Sequence, residues 1–393
     1  MKEYDIIVIG CGPAGSGAAK TAAERGLNVL VVEKRAEIGA PKRCGEGLSR
    51  SSLKRMGIEF DRKWVRREII GASVYAPNGK MLRVDYKEGP EGWVIERKVF
   101  DKYLAEKAAE AGAKILAKTE ATEVKRTENG ITVVLESQGS KWKAKSPLII
   151  AADGVESKIA RALGLNTTLS LTDVASSVQF EMTAIDIDPD RIELYFGNEV
   201  APSGYAWIFP KGEKTANVGI GVRKPWAKKS ALLYLQDFIQ SKPGLKKGSI
   251  LEVNSGGVPV GGLLENMVAD NLIVVGDAAH QVNPIHGGGI SEGFIGGKLA
   301  AEIASQAFEE RDFSSAFLEK YNKLWWEERG KALLKLLKLR EVVERLSDEE
   351  LNWLAEYLKG EDLIDLARSK GLKRLAKILM KKPKLIKLAK KLL

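Results

Sequence analysis

The sequence predicts an α/β protein: a doubly wound domain on a parallel sheet, an inserted α+β domain built on an antiparallel sheet, and a C-terminal helical region. Three observations carry this. Residues 5–9 form a short apolar run, 10–15 are glycine-rich, 16–25 are alanine-rich with helical spacing, and 27–32 form a second apolar run ending at Glu33, which is one βαβ unit. Runs of the same buried-strand type recur far downstream at 148–152, before Asp153-Gly154, and at 272–275, before Gly276-Asp277. Between them, 69–95 and 175–260 read as aromatic strands broken by the turns Pro77-Asn78-Gly79, Phe196-Gly197-Asn198 and Pro210-Lys211-Gly212.

Each element follows from its local pattern. The spacing predicts helices over 99–112 and 291–308 and an alternating strand over 131–136. From Phe313 onward the chain reads as helix, with Trp325, Trp326, Leu333, Leu334, Leu336 and Leu337 forming an apolar face. The predicted division is a first domain from 1–65, 96–170 and 262–310, a second from 66–95 and 171–261, and a helical region from 311–393. A length of 393 residues suits two to three domains at about 150 residues each.

Charge narrows the partners. The formal net charge is +10, and residues 366–393 hold 11 basic side chains and no acidic one, so the rest of the chain is near neutral. A basic surface spread over the body, as a nucleic-acid binder needs, is not indicated. Within the tail, Leu372, Leu375, Ala376 and Leu379, then Leu385, Leu388, Ala389 and Leu392 after Pro383, recur at helical spacing among lysines. Two readings stand: basic amphipathic helices lying on an anionic bilayer, or a solvated end that packs its leucines on the body. No apolar run approaches the ~18 residues of a membrane span, and no secretory leader pattern precedes the first strand. The expected location is cytoplasmic, peripheral at the membrane. With only Cys11, Cys44, His280 and His286 as soft ligands, metal chemistry ranks last.

Gly10-Cys11-Gly12-Pro13-Ala14-Gly15 is G-x-G-x-x-G between a strand and a helix, with an acid, Glu33, closing the next strand. Gly10 permits the tight turn, Gly12 lets backbone approach a pyrophosphate at the helix N-terminus, and Gly15 lets helix and strand pack. Glu33 suits ribose hydroxyls. Three later features favour FAD over NAD. Glu96-Arg97 sets a guanidinium at a helix start, suited to pyrophosphate. Asp277 ends a strand where a ribityl chain would run. Residues 284–290, Pro-Ile-His-Gly-Gly-Gly-Ile, open a helix whose amides suit the pyrimidine end of a flavin. The ordered set resembles the FAD-dependent aromatic hydroxylase superfamily, and the absence of a second G-x-G-x-x-G argues against a stable nicotinamide domain.

Two further stretches narrow the resemblance. Arg43-Cys44-Gly45-Glu46-Gly47, and Tyr205-Ala206-Trp207-Ile208-Phe209-Pro210-Lys211-Gly212 continuing to Val218-Gly219-Ile220-Gly221, are similar to the signature motifs of the geranylgeranyl reductase family. The resemblance implies saturation of the isoprenoid chains of archaeal ether lipids by reduced FAD, a polyprenyl lipid substrate, and an external electron donor such as reduced ferredoxin or NAD(P)H. It implies flavin contacts at Ala14, Glu33, Cys44, Gly45, Gly47, Arg97, Ala121, Asp277, Gly289 and Ile290.

In the residues themselves, Tyr205, Trp207 and Phe209 alternate along a strand and share one face, either a tunnel wall for a polyprenyl chain or an ordinary aromatic core. Cys11 reads as packing. Cys44, beside Arg43, reads as catalytic or as loop packing, and a Cys11–Cys44 disulfide is disfavoured in a reducing compartment. His280 and His286 flank the predicted flavin loop. Cys44, Tyr205 and His286 are the candidate catalytic groups, with the proton donor open. The alternatives are an FAD-dependent aromatic monooxygenase and a flavin-free isoprenoid carrier.

Overall fold

The computed structural model describes residues 1–86, 89–128 and 130–393. The apolar runs form a six-stranded sheet in the spatial order Val268–Ala269, Leu272–Val274, Leu148–Ala151, Ile6–Ile9, Val29–Val32, Lys114–Leu116. All neighbours are parallel except the outermost pair. Ile6 to Val8 and Val29 to Val31 are fully buried, as strands covered on both faces must be. One cover is a helix pair, Pro13–Glu24 and Ile290–Glu310. The other is a four-stranded sheet of Lys2–Glu3, Ser140–Ser146, Gly130–Ser137 and Thr119–Thr127, which sends Ile131, Val133, Leu135 and Ala144 into the same core. The first helix starts three residues earlier than its alanine pattern suggests, because Pro13 lacks an N–H and its fixed φ suits the first helical position.

The segments read as aromatic strands build a seven-stranded sheet. Its order is Ser249–Pro259, Val174–Thr183, Thr215–Val222, Tyr205–Gly212, Arg191–Tyr195, Gly71–Tyr75, Met81–Asp85. Strand alternation divides its side chains cleanly. Val178, Phe180 and Met182, Ala206 and Ile208, and Ala216, Val218 and Ile220 form one core with the helix Ala231–Ser241. The opposite face carries Gln179 and Glu181, the row Tyr205, Trp207, Phe209 and Lys211, and Asn217, Gly219 and Gly221. A third sheet, Gly47–Ser49, Gly92–Ile95 and Val65–Ile69, lies between the two larger ones in the chain's path and shares a core with the helix Arg97–Glu110.

The C-terminal region corrects one expectation and, of the two readings of its tail, shows the leucines packed on the body. Its apolar face is Leu318, Tyr321, Trp325, Leu333, Leu336, Leu339 and Val342, all buried in the first core, whereas Leu334 is 39% exposed. A π-helical turn at Trp326–Gly330 shifts the helical phase, so a face extrapolated through it drifts. The tail helices Leu372–Leu379 and Ile386–Lys390 do not present their leucines outward: Leu375, Leu379, Leu385 and Leu392 are buried in that same core. The apolar side of an amphipathic helix is covered by whatever apolar surface lies nearest, and here that is the protein itself. No helix of the described residues is long and apolar enough to cross a membrane.

Candidate active site

The glycine loop is shaped by close backbone approach. Gly10 has φ +105°, and a Cβ on it would lie 2.2 Å from the carbonyl oxygen of Ala152. A Cβ on Gly15 would lie 1.9 Å from the Gly10 oxygen. Gly12 caps the helix and faces open space, so the free first-turn N–H groups, Ala14 and Gly15 among them, remain available to an anion. Ala14 also lies against Gly276, Gly293 and Gly297, which lets the two covering helices nearly touch. The Glu33 carboxylate accepts from the Cys11 amide and the Arg35 amide, both at 3.0 Å, and stays half-exposed beside the loop. Ala121 lies on the strand whose first residue, Thr119, donates its amide to the Glu33 carbonyl at 2.8 Å. Cys11 is buried, its thiol pushed up to about 12 by burial, and so stays protonated. Both cysteines are free.

At the other end, the chain leaves the strand Leu272–Val274 in a 3-10 turn, Gly276–Ala279. Gln281 locks the turn, accepting the Gly276 amide at 2.7 Å and donating to the Tyr321 hydroxyl at 2.7 Å. Its place between His280 and Val282 offered no sequence signal. Asp277 projects beside Gly289, and burial raises its pKa while Arg97 partly opposes the rise. Its carboxylate has no hydrogen-bond partner among the described residues, as expected of an acceptor shaped for an incoming hydroxyl. Asp153 uses one oxygen on structure, with Oδ2 accepting the Ile159 amide at 3.0 Å, while Oδ1 is buried without a hydrogen-bond partner among the described residues. His280 is buried with its ring nitrogen 3.3 Å from the Thr167 oxygen, a structural histidine. The 283–289 loop is pinned by Asn283 Oδ1, which accepts the amides of Ile285 and His286, and it delivers Gly289 as the N-cap of the helix beginning at Ile290.

The strand Tyr205–Gly212 faces these elements, and each side chain on that face grips one of two loops. The Tyr205 hydroxyl donates to the His286 carbonyl at 2.7 Å. The Trp207 indole N–H donates to Gln179 Oε1 at 2.9 Å, and Gln179 Nε2 donates to the Cys44 carbonyl at 3.1 Å. The Phe209 ring lies over Gly45 and Gly47, where a Cβ would come within 3.0 and 3.1 Å of it. Lys211 Nζ donates to Glu46, Glu96 and Glu181 at 2.9, 2.8 and 2.9 Å. A register shift between Pro210 and Gly212 accompanies this, since a bulge re-aims the side chain it carries.

The Cys44 side chain neighbours both Arg97 and Tyr205. Burial lowers the Arg97 pKa, but the Asp101 carboxylate, held at 2.8 Å by two hydrogen bonds, and Cys44 outweigh it and raise the guanidinium above its ordinary range. Burial pushes the Tyr205 phenol up, so it is neutral at physiological pH. His286 opens onto the cleft, and the surrounding protein lowers its pKa through desolvation. Its Nδ1 accepts the Gly288 amide at 3.1 Å, which places the proton of the neutral ring on Nε2.

The structure therefore brings Cys44, Arg97 and Tyr205 together, joins Tyr205 to the His286 loop and seats Phe209 on Gly45 and Gly47. It adds Lys42, Gln179, Glu181, Asn217 and Glu252, which sequence reasoning missed, and gives roles to Glu46, Glu96 and Lys211, which stood in the motifs without one. The available signal was charge on strand positions flanked by apolar residues, as in Phe180-Glu181-Met182. The residues present fit FAD: a glycine cradle at one helix N-terminus, the Glu33 carboxylate beside it, Asp277 without a hydrogen-bond partner among the described residues, and a second helix N-terminus at Ile290.

Comparison with known proteins agrees. Residues 5–188 match the model of FAD dependent oxidoreductases, and residues 173–258 that of the geranylgeranyl reductase catalytic domain. The chain is 45% identical to digeranylgeranylglycerophospholipid reductase 1 of Methanothermobacter thermautotrophicus, over 96% of each chain. It is 43% identical to the digeranylgeranylglycerophospholipid reductase of Methanocaldococcus jannaschii, over 99% of this chain and 98% of that one. Among solved structures, a geranylgeranyl bacteriochlorophyll reductase-like protein of Thermoplasma acidophilum superposes with a TM-score of 0.91 at 36% identity, covering 100% of both chains. A flavin-dependent brominase shares the fold, with a TM-score of 0.72 at 20% identity over 94% of each chain.

Proposed function

This chain belongs to the digeranylgeranylglycerophospholipid reductase family, and on that premise we propose that it is an FAD-dependent reductase that saturates the double bonds of geranylgeranyl chains on archaeal ether (phospho)lipids. The observation that carries the reading is the aromatic strand face, Tyr205, Trp207 and Phe209, held directly against the Cys44 and His286 loops of the flavin cleft. An aromatic monooxygenase needs the same nucleotide loop but not this clamp.

FAD, when bound and reduced, supplies hydride; the residues around it bind, orient and exclude water. The amides of Gly12, Ala14 and Gly15 and the Arg97 guanidinium would hold the pyrophosphate, Glu33 the ribose, Asp277 the ribityl hydroxyls, and the Gly289-Ile290 helix start the pyrimidine edge. Cys44, Gly45 and Gly47, the two glycines packed under Phe209, would present backbone to the flavin. Saturating one double bond takes a hydride at one carbon and a proton at the other. Positive charge developing on the tertiary carbon is tolerated beside aromatic faces, and a water-free wall keeps the alkene in place. Three groups are positioned to hand over the proton: His286 through Nε2–H, Tyr205 through its hydroxyl, and Cys44 through its thiol. Electrons come from an external carrier of the reduced ferredoxin or NAD(P)H class.

Anaerobically reduced holoprotein mixed with a geranylgeranyl ether lipid should return to the oxidised flavin spectrum while the lipid gains two hydrogens per bond saturated. Neither change appearing, or oxygen uptake with a phenol instead, overturns the reading.

The charge of the tail supports membrane contact. Leu375, Leu379, Leu385 and Leu392 are buried, Ile386 and Leu393 are exposed, and Lys373, Lys377, Lys384, Lys387 and Lys390 project outward without a carboxylate partner among the described residues. Near an anionic surface each is worth about 1 kcal/mol. Replacing Lys377, Lys384 and Lys387 with Gln should weaken binding to anionic vesicles and leave flavin content intact; unchanged vesicle binding removes the tail from any membrane role.

A further inference from the structure

We propose that Glu46 is a positioning residue that fixes the loop carrying Cys44 in the cleft, and that the buried charges around it exist to hold Glu46 in place. The inference concerns the chain's own geometry and rests on the proposed function only where turnover is the readout.

Glu46 is wholly buried, yet its backbone has φ +71°, the left-handed region that disfavours a residue with a side chain. Something must hold it there. Its Oε2 accepts from Lys211 at 2.9 Å and from Asn217 at 2.7 Å, with Lys42 Nζ at 3.3 Å, while Oε1 accepts the Arg97 amide at 2.7 Å. These four donors come from three separated parts of the chain. The constrained backbone in turn acts on the cleft. The Glu46 amide donates to Cys44 Sγ at 3.2 Å, and its carbonyl accepts the Ile95 amide at 2.9 Å. Asn217 Nδ2 also donates to the Gly45 carbonyl at 3.2 Å. One carboxylate thereby couples the thiol, the helix start that carries Arg97, and the strand face that carries the aromatic row.

The surrounding ions serve that geometry. Lys42, 2% exposed, pairs with Glu181 and lies 3.2 Å from Glu252. Lys211, also 2% exposed, bridges Glu46, Glu96 and Glu181. Burying this many charges brings little net stability compared with apolar packing, because desolvation offsets the Coulomb gain. What such a cluster does supply is a single permitted arrangement, since any other leaves a buried charge unpaired.

The test is Glu46→Gln in the holoprotein. The substitution is isosteric, but an amide offers one acceptor atom where four donors converge, so at least one donor meets a donor. Native-state alkylation by iodoacetamide, read residue by residue by mass spectrometry, should become about tenfold faster at Cys44, the factor expected for losing one charge-assisted hydrogen bond. Cys11, buried and protonated, is the internal control: global loosening would accelerate both thiols, a positioning defect only Cys44. With a geranylgeranyl lipid as substrate, kcat should fall about tenfold with KM unchanged. Because alkylation needs no substrate, failure of this proposal and failure of the proposed activity are separable. If Glu46→Gln does not accumulate, Asn217→Ala removes the Nδ2 bonds to Glu46 and to the Gly45 carbonyl while leaving Lys42, Lys211 and the Arg97 amide on Glu46, and Cys44 alkylation should rise about threefold with Cys11 still silent. Cys44 alkylation within twofold of the parent, or equal acceleration at Cys11, overturns the proposal.

Discussion

Two glycine-bearing loops flank the cleft, and they are held by opposite physics. The first, Gly10 to Gly15, is shaped almost wholly by backbone: Gly10 and Gly15 are squeezed against main-chain oxygens, and side chains contribute little beyond the Glu33 carboxylate. The second, Lys42 to Gly47, is shaped by side chains from elsewhere, with Lys211, Glu181, Asn217 and Glu252 reaching it from the seven-stranded sheet. The first loop must present bare N–H groups to an anion, so anything bulky would interfere. The second must hold a thiol and two glycines under an aromatic ring, which short backbone contacts alone cannot do. A local device suits a generic ligand fragment, and a long-range brace suits the part of the site that differs between enzymes of one fold.

The sharpest way to break this contrast is Lys211→Met. It removes the cation shared by Glu46, Glu96 and Glu181, and leaving buried carboxylates uncompensated should cost about 3–5 kcal/mol in denaturant unfolding. A loss below 1 kcal/mol would mean that the second loop is held by packing, like the first. Next, Gly10→Ala should strip FAD from the protein while costing about 1–3 kcal/mol in thermal unfolding. The alanine would need φ +105° and would crowd the Ala152 carbonyl. Retention of full flavin content would show that the loop tolerates a Cβ and that its glycine is not structural.

The smallest effect is pH-dependent and specific to the second loop. Burial raises the Glu181 and Glu252 pKa values, but Lys42, with Lys211 at Glu181 and Lys98 at Glu252, outweighs it, so both are held below their ordinary 4.5. A depressed carboxylate stabilises the fold above its unfolded pKa and loses that contribution as pH falls through the folded one. Lys42 has the opposite sign: its pKa is raised above 10.5, burial being outweighed by Glu46, Glu181 and Glu252, so its contribution persists throughout the neutral range. The contribution of these two carboxylates should therefore be constant near neutrality and be lost as pH falls below 4.5, and Glu181→Gln should make the loss of thermal stability in that range shallower. An unchanged acid slope in the variant would detach Glu181 from the brace.

The same contrast explains what was legible in advance. Gly10, Gly12, Gly15 and Glu33 are read from one contiguous βαβ stretch because the turn, the helix start and the acid are fixed by neighbours in sequence. Asp277 and Gly289 are legible for a similar reason, each at a strand or helix end. Tyr205, Trp207 and Phe209 were placed on one face by strand period, but their partners were not: Trp207 turns to Gln179 and Phe209 to Gly45 and Gly47, contacts that bridge more than 20 residues. Glu46 stood inside a recognised motif without its role being visible, because the donors that define it come from Lys42, Arg97, Lys211 and Asn217. The tail leucines show the limit in its simplest form: their spacing predicts an apolar helix face and says nothing about what covers it.

By itself, the sequence determined the α/β class, the cofactor loop, the aromatic face and the amphipathic tail, since each depends on the 2.0 or 3.6 residue period or on a glycine at a fixed offset. Only the tertiary structure decided which face of the tail is wet, which loop each aromatic grips, and that Glu46 sits at the junction of thiol, helix and sheet. Those outcomes depend on burial and on charges separated by more than two hundred residues in the chain, such as Lys42 and Glu252, which meet because desolvated ions must find partners.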